Sequence, residues 1–490
     1  MSNGLILAID QGTTNTKALA FDAEGQVVAS AAVSMAVSYP QPGWAEQSAT
    51  AIWQAVRTVI ADVVARVGPD LDALAISNQR ETIVVWDSRT GEPIAPAILW
   101  QCRRSAPACA AIRAAGHGEL IESRTGLGID PLFPAAKLAW VLDNVSGARD
   151  AAAAGHLRAG TIDAWLLWNL TGGEHATDHS NASRTQLFNT EALAWDAELA
   201  RIFDVPLSLM PRVRPSDSAF GAAAAGVSAL AAGTPIHAMI GDSHAALFGH
   251  GVREPGTVKA TYGTGTSLMT LTSGRIMSRS GLSSTIAWST SAGVAYALEG
   301  NISVSGQAVA FMGSLLGIPD PAAVAALAAT VPDSNGVTFV PALVGLGAPY
   351  WDPDARGSIS GLALGTTPAH LARAAVEAIA FQVADVFSAM EADLGQPLGR
   401  LSADGGAARN DMLLQFQADL IDRPVLRGEL PEVSAAGAAL LAASGLGRNT
   451  TRPKGREDQF IPQMSQAARQ AALSGWLAGV GRVLQRDQIT

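Results

Sequence analysis

The sequence predicts an α/β protein built from two related halves, and three local patterns carry this prediction. Short apolar runs with strand character alternate with segments whose apolar residues recur at helical spacing. A short strand, a Gly/Thr-rich turn and a second strand occur near the N-terminus and again from residue 256 onward. This recurrence reflects either duplicated domains, each offering one hairpin turn to a phosphate, or a chance likeness between two Gly/Thr turns.

Length and composition narrow the classes of protein to consider. The chain has 490 residues, 48% of them hydrophobic and 16% charged, which allows several domains with large apolar cores. The formal net charge is -10 without a Lys/Arg run, which argues against nucleic acid or an anionic membrane as partner. Only Cys102 and Cys109 are present, so we expect neither a disulfide framework nor a Cys-rich metal site. No secretory signal or long apolar span is visible, which predicts a cytoplasmic location.

The N-terminal segment reads as a β-meander followed by a helix. Apolar residues 5–9 predict a buried strand, and the polar residues 10–16 predict a turn. Residues 17–21 and 26–32 predict the second and third strands. Residues 48–67 carry apolar side chains at helical spacing, with Ser48 placed to cap the first turn.

Two further turns in the second half have the same character. Residues 256–260 and 268–271 predict strands on either side of a Gly/Thr turn, and residues 401–403 predict a strand that leads through Gly405 and Gly406 to a helix at 411–421. Bare glycines let the backbone approach a ligand closely, and a helix N-terminus favours anions. The alternative is a tight strand-to-helix connection without a ligand.

A series of short motifs follows in a fixed order along the chain: DQGTT at 10–14, YPQPGW at 39–44, SNQRET at 77–82, LWQCRR at 99–104, NASRT at 181–185, GLGAPYW at 345–351, GSISGL at 357–362, HL at 370–371 and AAVE at 374–377. Together they resemble the FGGY carbohydrate kinase family, most closely its glycerol kinase branch, over nearly the whole chain. The resemblance implies two ribonuclease-H-like (actin-like ATPase) domains, 1–248 and 249–490, flanking a catalytic cleft. It also implies ATP- and Mg²⁺-dependent phosphorylation of a hydroxyl of a small polyol or sugar. The P-loop pattern is absent from the sequence, so hairpin turns would hold the phosphates.

By this resemblance, the nucleotide and its phosphates contact a set of turn residues: Thr13, Thr14, Lys17, Thr264, Gly265, Gly306, Gly405, Gly406 and Asn410. Lys17 stands where the branch usually has arginine, which keeps the charge but loses the planar fork. Ala310 stands where a nucleotide-contacting glutamine is usual. Asp10 would hold Mg²⁺ through water, since a hard cation takes carboxylate and water ligands. The alternative for Asp10 is a solvated turn residue.

The resemblance assigns the catalytic base to Asp242, which follows Gly241 in the motif GDSHAA. An aspartate is a weak base, but the hydroxyl loses its proton late in a loose phosphoryl transfer, so orientation matters more than basicity. Asp242 is alternatively an N-cap of the following helix, a role compatible with catalysis. His244 is a second candidate base on general grounds.

The acceptor pocket is where this sequence departs from the glycerol kinase branch. Arg80 and Glu81 match residues that grip substrate hydroxyls, and Trp100 matches one that packs on the carbon chain; the alternatives are a surface ion pair and plain core packing. Asp242 is also expected to line this pocket. Three further pocket residues are smaller than those usual in the branch, because Leu132 stands in place of tyrosine, Ser243 in place of glutamine and Ser267 in place of phenylalanine. The wider pocket predicts a C4–C5 polyol or ketose, and the alternative acceptor is glycerol, giving glycerol 3-phosphate.

The residues argue against two other classes of function. An actin- or chaperone-like ATPase switch has no need of the set Arg80, Glu81 and Trp100. A silent relative acting as a sensor has no need of both Asp10 and Asp242. We therefore expect a kinase whose partner is a small-molecule polyol or sugar, and a homodimer remains open as its assembly.

Overall fold

The computed structural model describes residues 4–428, 432–448 and 456–484. Strands and helices alternate along these ranges, which confirms the predicted α/β class. Among the described residues, no single helix is long and apolar enough to cross a membrane; one pair that passes by length and composition is bent by 86° between Gly306–Leu316 and Pro321–Ala328.

The first half contains fourteen strands and nine helices within the described residues. Its strands are β1 Ile6–Gln11, β2 Asn15–Phe21, β3 Val27–Ser34, β4 Glu46–Gln47, β5 Ala73–Asn78, β6 Ile83–Asp87, β7 Ala97–Ile98, β8 Leu157–Thr161, β9 Ala176–Asp178, β10 Phe188–Asn189, β11 Ala194–Trp195, β12 Arg212–Arg214, β13 Gly221–Ala222 and β14 Pro235–Gly241. Its helices are α1 Ala49–Val67, α2 Ala106–Ala114, α3 Gly118–Thr125, α4 Pro134–Asn144, α5 Ala148–Ala153, α6 Ile162–Thr171, α7 His179–Ala182, α8 Ala197–Phe203 and α9 Asp242–Gly249.

The second half continues in the same manner. Its described strands are β15 Thr257–Tyr262, β16 Thr266–Thr272, β17 Ser283–Thr290, β18 Gly293–Ile302, β19 Thr338–Val340, β20 Ser358–Ser360, β21 Arg400–Asp404, β22 Val425–Gly428 and β23 Glu457–Phe460. Its described helices are α10 Gly306–Leu316, α11 Pro321–Ala328, α12 Pro368–Leu394, α13 Asp411–Ile421, α14 Val433–Gly445 and α15 Gln466–Leu484. Short 3₁₀ turns occur at Leu207–Leu209 and Ala407–Arg409.

The central sheet of the first half has the strand order β13-β14-β5-β1-β2-β3. The predicted meander is confirmed, because β1, β2 and β3 pair antiparallel in sequence order, and Ser48 caps α1 by accepting from Ala51 N. Strands β1, β5 and β14 run parallel, and Gln11 and Gly241 both pair with Asn78 at their last positions. The carboxyl ends of these three strands therefore meet at one edge.

The central sheet of the second half, β17-β18-β16-β15-β21-β22-β23, repeats this local order. Strand β15 pairs antiparallel with β16 and parallel with β21, as β1 does with β2 and β5. Thr261 pairs with Asp404, which brings the second Gly/Thr turn beside the Gly-Gly turn. The repeated order supports duplication over a chance likeness between two turns.

Helices α9 and α14 pack closely between the two central sheets. A Cβ atom at Gly437 would lie 1.8 Å from the carbonyl oxygen of Ala245, and one at Gly249 would lie 2.4 Å from that of Val433. The same apolar core contains residues from strands of both halves, including Ile6 and Met269. The boundary predicted between residues 248 and 249 falls at this shared core, which contains Phe248, and it stays a prediction.

Candidate functional site

The carboxyl edge of the first sheet gathers side chains that are far apart in sequence. Asp10 lies near the end of β1, Arg80 follows β5, and Asp242 is the first residue of α9, directly after β14. Arg80 Nε donates to Asp242 Oδ1 at 3.1 Å, and Ser77 Oγ donates to Asp10 Oδ1 at 2.9 Å. Catalytic and binding side chains concentrate at such edges in α/β folds.

A buried ion network joins Arg80 to the second half of the chain. Arg80 Nη1 lies 2.5 Å from Glu299 Oε1, and Arg184 Nη2 lies 2.8 Å from Glu299 Oε2. Arg184 Nε also donates to Glu81 Oε1 at 2.7 Å, whereas Arg80 and Glu81 approach only to 3.9 Å. Burial raises the pKa of the Glu299 carboxyl, but Arg184 and Arg80 outweigh burial and hold this pKa well below its usual range. The surface-ion-pair interpretation of Arg80 and Glu81 is therefore wrong, because both side chains are buried in this network.

The Asp242 carboxylate is the accessible member of this group, with 37% of its side chain exposed. Gly241 takes the N-cap position and Asp242 is the first helical residue, so the N-cap interpretation is wrong by one position. His244 is fully buried, and burial followed by the Arg80 charge lowers the pKa of its imidazole well below the usual value. A buried imidazole behind Arg80 is poorly placed to reach a substrate hydroxyl, which favours Asp242 over His244 as base.

Ser243 and Ser267, predicted as pocket residues from opposite halves, face each other. Ser243 Oγ donates to Ser267 Oγ at 3.0 Å, and Ser267 Oγ donates to Glu299 Oε1 at 3.2 Å. This short hydroxyl chain ends on the carboxylate that also binds Arg80. Two small polar side chains therefore line the region beside Arg80 and Asp242.

The remaining residues predicted for the pocket, Trp100 and Leu132, are held by hydrogen bonds to the same group of segments. Trp100 Nε1 donates to Thr13 Oγ1 at 2.9 Å, so the indole has a polar role beyond core packing. Leu132 lies just before α4, and its carbonyl oxygen accepts from Lys137 Nζ at 2.7 Å. The same ammonium donates to the carbonyl oxygen of Glu81 at 3.0 Å, so the Leu132 and Glu81 segments are adjacent.

The predicted nucleotide residues of the second half form a continuous glycine-rich surface. Gly306 N donates to the carbonyl oxygen of Gly263 at 3.0 Å, and Ser305 N donates to that of Thr264 at 2.9 Å. A Cβ atom at Gly265 would lie 2.4 Å from the carbonyl oxygen of Ile302. The second hairpin turn thus packs directly on the start of α10.

The Gly-Gly turn after β21 joins the same surface. Gly405 has a φ of +91°, and a Cβ atom there would lie 2.5 Å from the carbonyl oxygen of Tyr262, so only glycine fits without strain. Gly405 and Gly406 are exposed, as are Thr14 and Thr264 of the two hairpin turns. Asn410 Oδ1 accepts from Leu413 N at 3.2 Å, and this bond caps α13.

The first hairpin brings Lys17 and Asp10 to the cleft. Lys17 Nζ forms an ion pair with Glu432 Oε2 at 2.5 Å, so a phosphate would compete with this carboxylate for the ammonium. Burial, followed by the neighbouring Asp242 carboxylate, raises the pKa of Asp10 to about 7. Within the ranges that the structure describes, no cluster of three or more His, Cys, Asp or Glu side chains is arranged to hold a metal. A single carboxylate crowded by a second one suits Mg²⁺, which keeps several waters and binds substrate phosphates.

Three buried residues at this site were missed by the sequence reasoning. Arg184 lies inside the motif at 181–185, and Glu299 is the one carboxylate in the largely apolar strand β18. Lys137 acts on backbone carbonyl groups. For Glu299 and Lys137 the available signal was a charged residue inside a largely apolar strand or helix, because such residues are rarely buried without a partner. Arg184 lies in a turn and gave no such signal.

Comparison with known proteins agrees with this geometry. Residues 5–249 match the N-terminal domain of the FGGY family of carbohydrate kinases, and residues 258–446 match its C-terminal domain. The chain belongs to the FGGY family of carbohydrate kinases. This result confirms the resemblance read from the motifs, and with it the two-domain actin-like fold.

Relatives within the FGGY family act on different acceptors. The chain is 48% identical to a glycerol kinase of Symbiobacterium thermophilum, over 98% of this chain and 99% of that protein. It is 49% identical to an apulose kinase of Pectobacterium atrosepticum, over 91% of this chain and 90% of that protein. A crystal structure of Plasmodium falciparum glycerol kinase with ADP superposes with a TM-score of 0.91 at 30% identity, covering 98% of both chains.

These findings decide the reaction class. The chain is an ATP-dependent kinase that phosphorylates a polyol or a sugar, as predicted. The actin- or chaperone-like ATPase switch is thereby set aside.

Proposed function

We propose that the acceptor of this kinase is a four- or five-carbon polyol or ketose. The observation that carries the proposal is the pair Ser243 and Ser267, whose hydroxyl oxygens lie 3.0 Å apart beside the Arg80–Asp242 contact. Short hydroxyl side chains leave volume for additional carbons and supply hydrogen bonds for additional hydroxyl groups. Leu132, in place of the larger tyrosine, adds to this volume.

The grip on the acceptor is assigned to Arg80, Glu81 and Trp100. An arginine and a glutamate held in fixed orientation donate to and accept from two hydroxyl groups at once. The indole of Trp100 covers the carbon chain of the acceptor. Because Glu81 is locked by Arg184 and Arg80 by Glu299, the grip is preorganised before the acceptor arrives.

Asp242 is assigned as the catalytic base. Its exposed carboxylate lies 3.1 Å from Arg80 Nε, so a hydroxyl bound to Arg80 would lie within reach of the same carboxylate. Asp242 orients that hydroxyl toward the γ-phosphorus and accepts its proton as the new P–O bond forms, while the bond from the γ-phosphorus to the β,γ-bridging oxygen of ATP breaks and ADP leaves.

Nucleotide binding is assigned to the two hairpin turns and the Gly-Gly turn. Backbone N–H groups and hydroxyls of such turns cradle phosphates without a P-loop. The residues proposed for this role are Thr13, Thr14, Lys17, Thr264, Gly265, Gly306, Gly405, Gly406 and Asn410. Asp10 would hold Mg²⁺ through water, and the bound cation supplies charge neutralisation on the β- and γ-phosphates. We further propose the predicted domains 1–248 and 249–490, a cytoplasmic location and a homodimer.

Glycerol is the second candidate acceptor, because glycerol kinases are among the relatives at 48% identity. The apulose kinase relative, at 49% identity, supports a sugar instead. The identities alone do not separate the two, so the serine pair is the observation that favours the longer acceptor.

A coupled ADP-release assay over glycerol and a panel of C4 and C5 polyols and ketoses tests the proposal. Each added contact realised in the transition state contributes about 1–3 kcal/mol, or about 10- to 200-fold. We expect at least one C4 or C5 acceptor to exceed glycerol by about tenfold or more in kcat/KM. A preference for glycerol over every longer acceptor in the panel would show that the volume argument is wrong.

A further inference from the structure

Lys137 is a fully buried lysine that no step assigned so far uses. It lies in the first turn of α4, and its side chain has no exposed surface. Its Nζ donates to the carbonyl oxygens of Glu81 at 3.0 Å and of Leu132 at 2.7 Å. Burial lowers the pKa of the Lys137 amine to about 7, against the opposing effect of the Glu81 charge. Burying a long cationic side chain costs free energy, so the contacts that Lys137 makes must offset this cost.

Both carbonyl groups belong to the proposed acceptor pocket. Glu81 has a φ of +61°, a left-handed conformation that costs a residue with a Cβ atom about 1–2 kcal/mol. Its side chain is fixed by Arg184 and its carbonyl group by Lys137, so the strained residue is held from two sides. Backbone strain of this kind persists where the surroundings over-determine the conformation, and it concentrates at functional sites.

The second carbonyl group belongs to Leu132, on the loop that precedes α4. Leu132 N donates to Asp130 Oδ1 at 2.8 Å, so the loop is a tight turn that ends at Lys137's own helix. A single ammonium group therefore spans the two segments that carry Glu81 and Leu132. In the proposed acceptor pocket, the separation of these two segments would set the width on this side.

We propose that Lys137 is a positioning residue that fixes the acceptor-pocket wall by holding Glu81 and Leu132 at a set separation. The residue does not touch the acceptor in this proposal and acts through the two backbone carbonyls. The proposal rests on the proposed function only in taking Glu81 and Leu132 as pocket residues; it holds for glycerol as well as for a longer acceptor.

The test is Lys137→Met, which keeps most of the side-chain volume and removes both hydrogen bonds. Displacement of a binding group by about 1 Å costs up to about 100-fold in rate. We expect kcat/KM for the best acceptor to fall at least about tenfold, chiefly through a higher acceptor KM, while the KM for ATP stays within about twofold. The ratio of kcat/KM between a C5 acceptor and glycerol should also change, and this ratio does not depend on the fraction of active enzyme.

Gln382→Met is the matched control. Gln382 is also buried and also donates to two backbone carbonyl oxygens, those of Val304 and Ala378, each at 3.1 Å, but it lies on α12 in the second half. We expect this variant to leave the acceptor selectivity ratio unchanged, whatever it does to thermal stability. Should Lys137→Met fail to fold, Lys137→Gln, which retains a shorter donor, replaces it, with a smaller change in the same direction.

Each outcome decides the proposal. A raised acceptor KM with an altered selectivity ratio supports it, whereas an unchanged KM and ratio in folded Lys137→Met, or Lys137→Gln, overturn it. A parallel loss of kcat for every acceptor would show a merely structural role and overturns it too. If wild type prefers glycerol to all longer acceptors, the proposed acceptor is wrong, but the effect of Lys137→Met on the glycerol KM still tests the positioning role.

Discussion

Replacing Glu299 by glutamine removes the countercharge of two buried arginines. Glu299 lies in the second half, with no exposed surface, and contacts Arg80 at 2.5 Å and Arg184 at 2.8 Å. Breaking a buried ion pair by removing one partner typically costs about 3–5 kcal/mol. In the variant, Arg80 retains the Asp242 carboxylate as a partner and Arg184 retains that of Glu81. We therefore expect a cost at the lower end of this range, about 3 kcal/mol.

This cost translates into a measurable shift in unfolding temperature. The entropy of unfolding is about 2.1 cal/mol/K per residue, hence about 1 kcal/mol/K for the 490 residues if they unfold together. We therefore expect Glu299→Gln to lower Tm by about 3 °C in differential scanning calorimetry, and by more if the halves unfold separately. The acceptor KM should rise severalfold, because Arg80 loses its anchor.

Glu198→Gln is the control for this experiment. Glu198 also contacts two arginines, Arg124 at 2.6 Å and Arg201 at 3.9 Å, but 43% of its side chain is exposed. Exposed pairs contribute about 0–1 kcal/mol, so its Tm should move by about 1 °C or less. Equal shifts for the two variants, or an unchanged acceptor KM in Glu299→Gln, would refute the reasoning.

Three further predictions concern the proposed roles. Asp242→Asn should fold and bind nucleotide but lose about 10²–10⁴ in kcat, measured by ADP release; a rate within a few-fold of wild type would exclude Asp242 as base. Ser267→Phe combined with Leu132→Tyr should refill the pocket and shift the kcat/KM ratio toward glycerol, and an unchanged ratio would contradict the volume argument. The pKa of Asp10 is raised from 3.8 to about 7, so between these two pH values the folded chain holds a proton that the unfolded chain has lost. The free energy of unfolding without metal therefore falls as the pH rises through this window. Scanning calorimetry in EDTA should show the Tm of Asp10→Asn rising relative to the Tm of wild type between pH 5 and pH 8, and a Tm difference that does not depend on pH would contradict the raised pKa.

Local patterns predicted the elements that position the site. The meander, the two Gly/Thr hairpins and the strand-turn-helix at Gly405 follow from apolar periodicity and turn chemistry within short windows. These elements are encoded locally, which is why the sequence alone suffices for them. The convergence of Asp10, Arg80 and Asp242 depends instead on the parallel pairing of β1, β5 and β14, which are far apart in sequence, and only the family resemblance implied it.

The pairing of charges could not be predicted in the same way. Arg80 and Glu81 are adjacent in sequence and were expected to act as a pair, yet each has a closer partner elsewhere, because Glu81 adopts a left-handed conformation. The contact between Arg80 and Glu299 joins residues 219 apart and depends on how β18 is placed against the first half. Backbone carbonyls, the acceptors of Lys137, carry no signature in the sequence at all.

The glycine contact between α9 and α14 has a mechanical consequence. The Gly437 backbone is pressed against the Ala245 carbonyl group, so at this point no side chain separates the backbones of the two helices. Shear closure requires packed helices to slide past one another, and a backbone contact this close leaves little room for sliding, so we expect the two halves to move by rotation about it. The proposed base Asp242 begins α9, and Glu432, the partner of Lys17, immediately precedes α14, so a rotation about this contact would pivot close to both residues. Such a rotation would widen the mouth of the cleft while moving Asp242 little.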